Sequence, residues 1–241
     1  MSLSKRAFLR TAGLGAAAAL VGPVLTRERS VAEAQTGASP PAAPPSPLTI
    51  TGDEALAKLL EGNRRHLSGD FTITRRLAER RQEVAKVQHP FAVILGCSDS
   101  RLPPEIVFDH SLGDLFVVRV AGNIVDDHGL GSIEFAATQF GTPLVLVLGH
   151  ARCGAVAAAL AGTAVPGHIL SLMDAIMPSV VMSKGLPGDP LDNAIRANIR
   201  RTVQELKESK PILGELVRSG KLKVAGALYS LDTGKVEIVT E

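Results

Sequence analysis

Three short apolar runs stand out in the middle of the chain, at residues 91–96, 115–120 and 143–148. Each run is almost continuously apolar and does not alternate with polar residues. Runs of this length and pattern are typical of strands that are buried on both faces of a parallel sheet. The pattern therefore predicts three central, neighbouring strands.

Segments with helical periodicity surround these runs. Two amphipathic helices are predicted before the first strand, one between the second and third strands, one that begins near Cys153, and a longer one later in the chain. The four whose extents the pattern defines cover residues 53–67, 74–87, 130–140 and 190–209.

The C-terminal segment 222–239 is predicted to form two strands around the turn Asp232-Thr233-Gly234-Lys235. Alternation of strands and helices predicts an α/β fold. We expect a mostly parallel central sheet flanked by helices, with helices at the N-terminal side and a strand hairpin at the C-terminus.

The first 34 residues have the layout of a signal peptide. Basic residues Lys5 and Arg6 precede an apolar run at 11–25, and an Ala-x-Ala cleavage pattern ends at Ala34. The apolar run is short for a membrane span, so an uncleaved membrane anchor is the lesser alternative. The basic pair resembles a twin-arginine signal in which Lys5 replaces the first arginine. We expect export by the twin-arginine translocase, to the periplasm of a bacterium.

Residues 35–47 carry five prolines among Ala, Ser and Gly, which predicts a disordered linker. The folded domain is then expected at residues 48–241. Its apolar content is high enough for a core, since 45% of the whole chain is hydrophobic, and a net charge of +2 offers no concentrated basic face for nucleic acid. Two cysteines are too few for a disulfide scaffold.

Polar residues gather where two of the predicted strands end. Cys97, Asp99 and Arg101 follow the first strand, and His150 and Cys153 follow the third. Ligands bind at the carboxyl ends of strands in open α/β sheets. Two sulfurs and one imidazole nitrogen suit Zn²⁺ and leave one position open, which is typical of a catalytic site. Asp99 and Arg101 are spaced to form a forked ion pair.

Other interpretations of the two cysteines remain open from the residues alone. Cys97 and Cys153 are also compatible with buried thiols or with one disulfide. A cysteine phosphatase loop needs more than the three residues that separate Cys97 from Arg101. A redox pair favours Cys-x-x-Cys, whereas these cysteines are 56 positions apart.

The motifs Cys97-x-Asp99-x-Arg101 and His150-x-x-Cys153-Gly154 make the sequence resemble the β-class carbonic anhydrases. The segments 62–65, 88–91 and 113–123 are also similar to that family, and the resemblance extends from about Thr51 to the C-terminus.

This resemblance implies one zinc ion per subunit, held by Cys97, His150 and Cys153. It also implies reversible hydration of carbon dioxide to bicarbonate by zinc-bound hydroxide, with Asp99 and Arg101 orienting or gating the fourth zinc position.

The resemblance further implies which residues form the substrate pocket. Gln88 would supply an amide to the substrate, Phe116 and Phe135 would line an apolar pocket, and Gly154 would lie at the substrate-binding position of the fingerprint. In the family, pocket residues come from both subunits of a homodimer, so we expect a homodimer or a higher homo-oligomer. Ala155 stands where many relatives have a second glycine.

Two other functions compete with carbonic anhydrase activity. Relatives with the same ligands hydrolyse carbonyl sulfide or carbon disulfide. A zinc-binding scaffold without catalysis is expected to lack Asp99 or Arg101, and both residues are present.

Overall fold

A computed structural model describes residues 49–241 of the chain. Five strands form one sheet in the order β2-β1-β3-β4-β5. All neighbouring pairs are parallel except β4 and β5, which are antiparallel. The strands are β1 (Ala92–Gly96), β2 (Leu115–Arg119), β3 (Leu144–His150), β4 (Lys223–Tyr229) and β5 (Val236–Thr240). This arrangement confirms the predicted α/β class and the C-terminal hairpin.

Eight α-helices and one 3₁₀ turn are described around this sheet. None of the helices within residues 49–241 is long and apolar enough to cross a membrane. The helices are α1 (Gly52–Ser68), α2 (Leu77–Val84), α3 (Pro104–Val107), α4 (Asp127–Gln139), α5 (Gly154–Ala161), α6 (Ile169–Ser183), α7 (Pro190–Glu208) and α8 (Leu213–Arg218), and the 3₁₀ turn is Ala121–Asn123.

The five predicted helices differ from the structure at their ends, and α3, α6 and α8 were not predicted. Helix α4 begins earlier than predicted because the Asp126 side chain caps it by accepting a hydrogen bond from the Gly129 N–H at 2.8 Å. Helix α6 was not predicted, since Pro178 interrupts a segment that lacks a clear polar face. The predicted signal peptide (1–34) and linker (35–47) lie outside the described residues.

The register of the sheet brings the two predicted site segments together. Gly96, the last residue of β1, pairs with Leu148 of the neighbouring strand β3. Because the two strands are parallel, both continue past the same edge of the sheet, β1 into Cys97 and β3 into His150.

Helix α1 is tied to the C-terminal hairpin by one buried side chain. The amide of Asn63 donates to the carbonyl oxygens of Val107 (3.1 Å) and Gly234 (2.9 Å) and accepts from the N–H of Val236 (2.9 Å). Three of the backbone groups around this side chain are therefore satisfied by Asn63.

Helix α7 packs against β3 and β4. It begins at an Asp189 side chain that accepts from the Asp192 N–H at 2.7 Å. Its Ile199 lies against Gly149 in β3, where a Cβ atom would come within 2.6 Å of the Ile199 Cδ1 atom. Glycine at this position therefore lets α7 approach the sheet next to His150.

A buried carboxylate joins the loop after α1 to the loop after α3. Asp109 accepts hydrogen bonds from the Arg65 guanidinium, from the Thr72 N–H (2.7 Å) and hydroxyl (2.7 Å), and from the Ile73 N–H (2.8 Å). Burial opposes its charge, but these donors prevail and lower the pKa of Asp109 to about 2.

We expect Asp109→Asn to lower the free energy of unfolding by about 2 kcal/mol near neutral pH, because the carboxyl pKa falls from 3.8 when unfolded to about 2 when folded. A depressed folded pKa stabilises the protein above the unfolded pKa, and this contribution is lost as pH falls from about 4 to about 2. Urea unfolding of chelator-treated protein across this range measures the effect. Asp70→Asn, at an exposed carboxylate, is the control, and an equal loss in both variants at all pH values would contradict the assignment.

Candidate metal centre

Three donor side chains meet at the carboxyl edge of the sheet. Cys97 follows β1, His150 ends β3, and Cys153 immediately precedes α5. The Cys97 and Cys153 sulfurs are 4.0 Å apart, and the three donor atoms all lie within 4.8 Å of one another. All three side chains are buried, and both cysteines are free thiols.

The imidazole of His150 presents one nitrogen to this cluster. Its Nδ1 lies 3.0 Å from the Ala151 carbonyl oxygen, which makes Nδ1 the proton-carrying nitrogen. Its Nε2 is buried and has no hydrogen-bond partner among the described residues. A buried polar atom without a partner is costly, and a cation bound between Nε2 and the two sulfurs would satisfy it.

The charges of the two sulfurs also favour a cation. The hydrogen bond between the thiols, with further help from His150 and the Gly122 N–H, lowers the pKa of Cys97. The same contact and burial raise the pKa of Cys153. The two sulfurs therefore differ in how readily they release a proton, and a divalent cation bound between them would displace the protons that they carry.

The spacing of the donors fits zinc. A tetrahedral zinc ion with Zn–S bonds of about 2.3 Å places two sulfurs about 3.8 Å apart, close to the separation in this protein. Two sulfurs and one nitrogen are a zinc donor set, and three protein ligands leave a fourth position free for chemistry.

A carboxylate lies beside the three donor side chains. Asp99 accepts from Nε and Nη2 of Arg101 at 2.9 and 2.7 Å and from the Arg101 N–H at 2.9 Å. Its Oδ2 atom lies 3.8 Å from Nε2 of His150. The fork with Arg101 keeps the pKa of Asp99 far below its usual range, so this side chain is a carboxylate at neutral pH.

Sequence reasoning missed an arginine that holds the loop carrying Cys97 and Asp99. Arg119, at the end of β2, donates from Nε to the Cys97 carbonyl oxygen (2.9 Å) and from Nη2 to the Asp99 carbonyl oxygen (2.6 Å). The sequence feature that could have revealed Arg119 is its charge inside an otherwise apolar strand, since a charged side chain there is expected to have a polar partner.

A second missed residue lies between two ligands. Arg152 has a left-handed backbone (φ 55°), and its guanidinium makes two hydrogen bonds to Asp232 in the β4–β5 turn, at 2.7 and 2.9 Å. The Ala151 N–H donates to the Tyr229 carbonyl oxygen at 2.9 Å. The turn from His150 to Cys153 is therefore braced by strand β4 and its hairpin.

The predicted substrate residues do not gather around these ligands within one chain. Gln88 is exposed before β1, so the length of that five-residue strand, about 16 Å, separates it from Cys97. Phe116 is near the start of β2, and Phe135 is 52% exposed on α4; both rings pack on Phe140, with centroids 6.2 and 5.5 Å from it.

Gly154 is the exception, because it starts α5 directly after a ligand. It is exposed, and a Cβ atom built on it would meet nothing within 4 Å. No close approach by the described part of the chain requires glycine there, and its assignment to substrate binding stays a prediction.

Fold and site together are those of an α/β protein with a candidate metal centre, and comparison with known proteins gives the family. The carbonic anhydrase family profile matches residues 92–236. Carbonic anhydrase 2 of Mycobacterium tuberculosis is 39% identical over 181 residues, which cover 73% of this chain and 87% of that protein. The chain therefore belongs to the carbonic anhydrase family and is an enzyme of its β class.

Solved structures show the same class. A β-carbonic anhydrase of Coccomyxa in complex with acetazolamide is 28% identical, with a TM-score of 0.60 over 76% of this chain and 85% of the other. A chain of the tetrameric β-carbonic anhydrases of Sordaria macrospora has the same fold, at 21% identity and a TM-score of 0.63 over 77% and 96% of the two chains.

Cys153→Ser is expected to reduce zinc occupancy of the purified protein and to weaken zinc binding by at least tenfold, because a hydroxyl does not ionise as a thiol does. Elemental analysis and competition with a chelator measure both quantities. A serine variant that keeps full zinc content and full activity would exclude Cys153 as a ligand.

Proposed function

We propose that this protein catalyses the reversible hydration of carbon dioxide to bicarbonate and a proton on one zinc ion per subunit, held by Cys97, His150 and Cys153. The observation that carries the proposal is the buried Nε2 of His150, which has no hydrogen-bond partner within residues 49–241 and lies in a cluster with two sulfurs 4.0 Å apart. Zinc, when bound, supplies a Lewis acid that activates water as a nucleophile near neutral pH.

The remaining chemistry is assigned to side chains of the protein. Asp99 is ionised and lies 3.8 Å from Nε2 of His150, so it would accept a hydrogen bond from the attacking water and thereby orient a lone pair of the water oxygen toward the substrate carbon. Arg101 holds the Asp99 carboxylate with two hydrogen bonds from its guanidinium group. If these hydrogen bonds broke, Asp99 could turn toward a bound metal ion, which is the proposed gating role.

The paired carboxylate also favours an enzyme over a silent scaffold. A scaffold needs the three ligands but has no use for a carboxylate ionised by a forked arginine. Hydrolysis of carbonyl sulfide or carbon disulfide uses the same attack on a carbon centre and is therefore tested beside hydration.

Asp99→Ala is expected to keep wild-type zinc content and to lose carbon dioxide hydration by about 10²-fold or more. Stopped-flow hydration and sulfide release from carbonyl sulfide are measured on the same zinc-loaded samples. Glu215→Ala, which removes another arginine-paired but exposed carboxylate, should leave both unchanged.

Three outcomes would contradict these assignments. Full activity of Asp99→Ala would remove Asp99 from the mechanism. If the wild type released sulfide from carbonyl sulfide but did not hydrate carbon dioxide, the substrate would be carbonyl sulfide and not carbon dioxide. A zinc-replete wild type without either activity would indicate a scaffold.

We also propose a homodimer or higher homo-oligomer in which the partner completes the substrate pocket. Strand β2 is at the edge of the described sheet, and its five residues are all partly exposed. An apolar edge strand is an unsatisfied surface that a second copy can cover. The family resemblance assigns Gln88, Phe116 and Phe135 to the pocket, and their distance from the ligands within one chain agrees with a contribution from the partner. The Sordaria macrospora relatives are tetrameric.

Complementation tests this arrangement. Gln88→Ala and Cys153→Ser are each expected to have low activity. After subunit exchange, half of the dimers are mixed and one of their two sites is intact, so the mixture should recover about a quarter of the wild-type activity. A mixture no more active than the mean of the two variants would place Gln88 in the pocket of its own subunit or outside any pocket.

Export through the twin-arginine translocase remains our proposal for the N-terminal segment. Its support is the basic pair, the apolar run and the cleavage pattern described above. This route transports folded proteins, so zinc would occupy the two thiolates in the reducing cytoplasm, before exposure to a compartment that favours disulfides.

A further inference from the structure

A buried asparagine in α7 connects to the metal centre through one backbone turn. Asn198 is completely buried, and its amide nitrogen donates to the Gly122 carbonyl oxygen at 2.7 Å. On the other side of the same α-carbon, the Gly122 N–H donates to the Cys97 sulfur at 3.2 Å. One residue thus joins a side chain of α7 to a proposed zinc ligand.

The conformation of Gly122 makes this connection specific. Its φ of 77° lies in the left-handed region, and a Cβ atom there would come within 2.7 Å of the Ile176 Cδ1 atom. The residue must therefore be glycine, and a glycine needs outside contacts to hold one conformation. The Asn198 amide supplies such a contact at the carbonyl.

The hydrogen bonds behind Asn198 all run in one direction. Arg201 Nε donates to the Ser179 hydroxyl oxygen at 3.1 Å, and that hydroxyl donates to the Asn198 side-chain oxygen at 3.2 Å. This fixes the orientation of the amide, with its NH₂ group toward Gly122. The donors therefore point in one direction from Arg201 to the Gly122 carbonyl oxygen, an arrangement in which hydrogen bonds strengthen one another. The Gly122 N–H belongs to the preceding peptide group, so Asn198 acts on the sulfur by fixing the position of the backbone.

We propose that Asn198 is a positioning residue that holds the Gly122 N–H on the Cys97 sulfur and thereby strengthens zinc binding. The inference rests on the proposed function for the identity of the metal. A hydrogen bond to a thiolate stabilises its charge in a buried site and would reduce the charge that the sulfur gives to a bound zinc ion. A zinc ion held by Cys97 would therefore remain the stronger Lewis acid.

The test compares two variants of α7 and one of α6. Asn198→Leu removes the amide at nearly constant volume. Thr202→Val is the matched control, because Thr202 is also completely buried one turn further along α7 and its hydroxyl has no hydrogen-bond partner among the described residues. Ser179→Ala keeps the amide but removes the group that orients it.

Zinc affinity, measured by chelator competition on folded protein, is expected to fall tenfold to a hundredfold in Asn198→Leu and less in Ser179→Ala, with no change in Thr202→Val. In the cobalt-substituted protein, the sulfur-to-metal charge-transfer band should shift in the same order. The pH midpoint of kcat/KM should move upward, because a sulfur without its hydrogen bond gives more charge to the metal.

Wild-type zinc affinity and an unshifted charge-transfer band in Asn198→Leu would overturn the inference, as would an equal loss in Thr202→Val. If Asn198→Leu does not fold, Ser179→Ala decides, and an unchanged affinity and band in that variant would overturn it. A wild type that binds no zinc would instead refute the proposed function.

Discussion

Two sulfurs and an imidazole nitrogen lie close together in a buried site at the edge of the sheet. Placing ionisable sulfurs so close together away from water is electrostatically costly, and the surrounding structure depends on how this cost is met. Sulfurs 4.0 Å apart cannot both be charged without compensation in a low-dielectric setting. The parallel register of β1 and β3 brings Cys97 close to His150 and Cys153, because both strands end at the same edge of the sheet. The Gly122 N–H stabilises the charge of the Cys97 sulfur, and Arg119 holds the loop that carries Cys97.

Two left-handed backbone positions lie close to these donors. Gly122 and Arg152 are each held by a side-chain contact with a distant element, Asn198 in α7 and Asp232 in the β4–β5 turn. For Arg152, which is not glycine, this conformation is strained, and such strain persists only where the surroundings over-determine it. The site is therefore built by the whole sheet and its helices and not by the two motif segments alone.

The sequence predicted the parts that depend on local pattern. The strands that end at the site, the helix α7 and the hairpin follow from apolar runs, helical periodicity and turn residues. Cys97, Asp99, His150 and Cys153 could be selected because reactive residue types follow two strand ends.

Long-range contacts could not be predicted in this way. Asn198 is 76 positions from Gly122, and Arg152 is 80 positions from Asp232. Asparagine and arginine on such segments are ordinary surface residues by composition. Only the packing of α7 against Gly149, and of the hairpin against the turn after β3, gives them a role.

The metal donors and the residues assigned to the substrate pocket lie in different parts of one chain. The metal donors need rigid, buried supports, and one subunit supplies these from β1, β3 and α7. An apolar pocket for a small substrate needs walls close to the metal, yet Phe116 and Phe135 lie toward the other end of the strands, with Phe135 half exposed. Exposed apolar surface of this kind marks a site of association. In the proposed dimer, one association would both cover the apolar residues and enclose the partner's site, so folding of the catalytic pocket and assembly would become the same event.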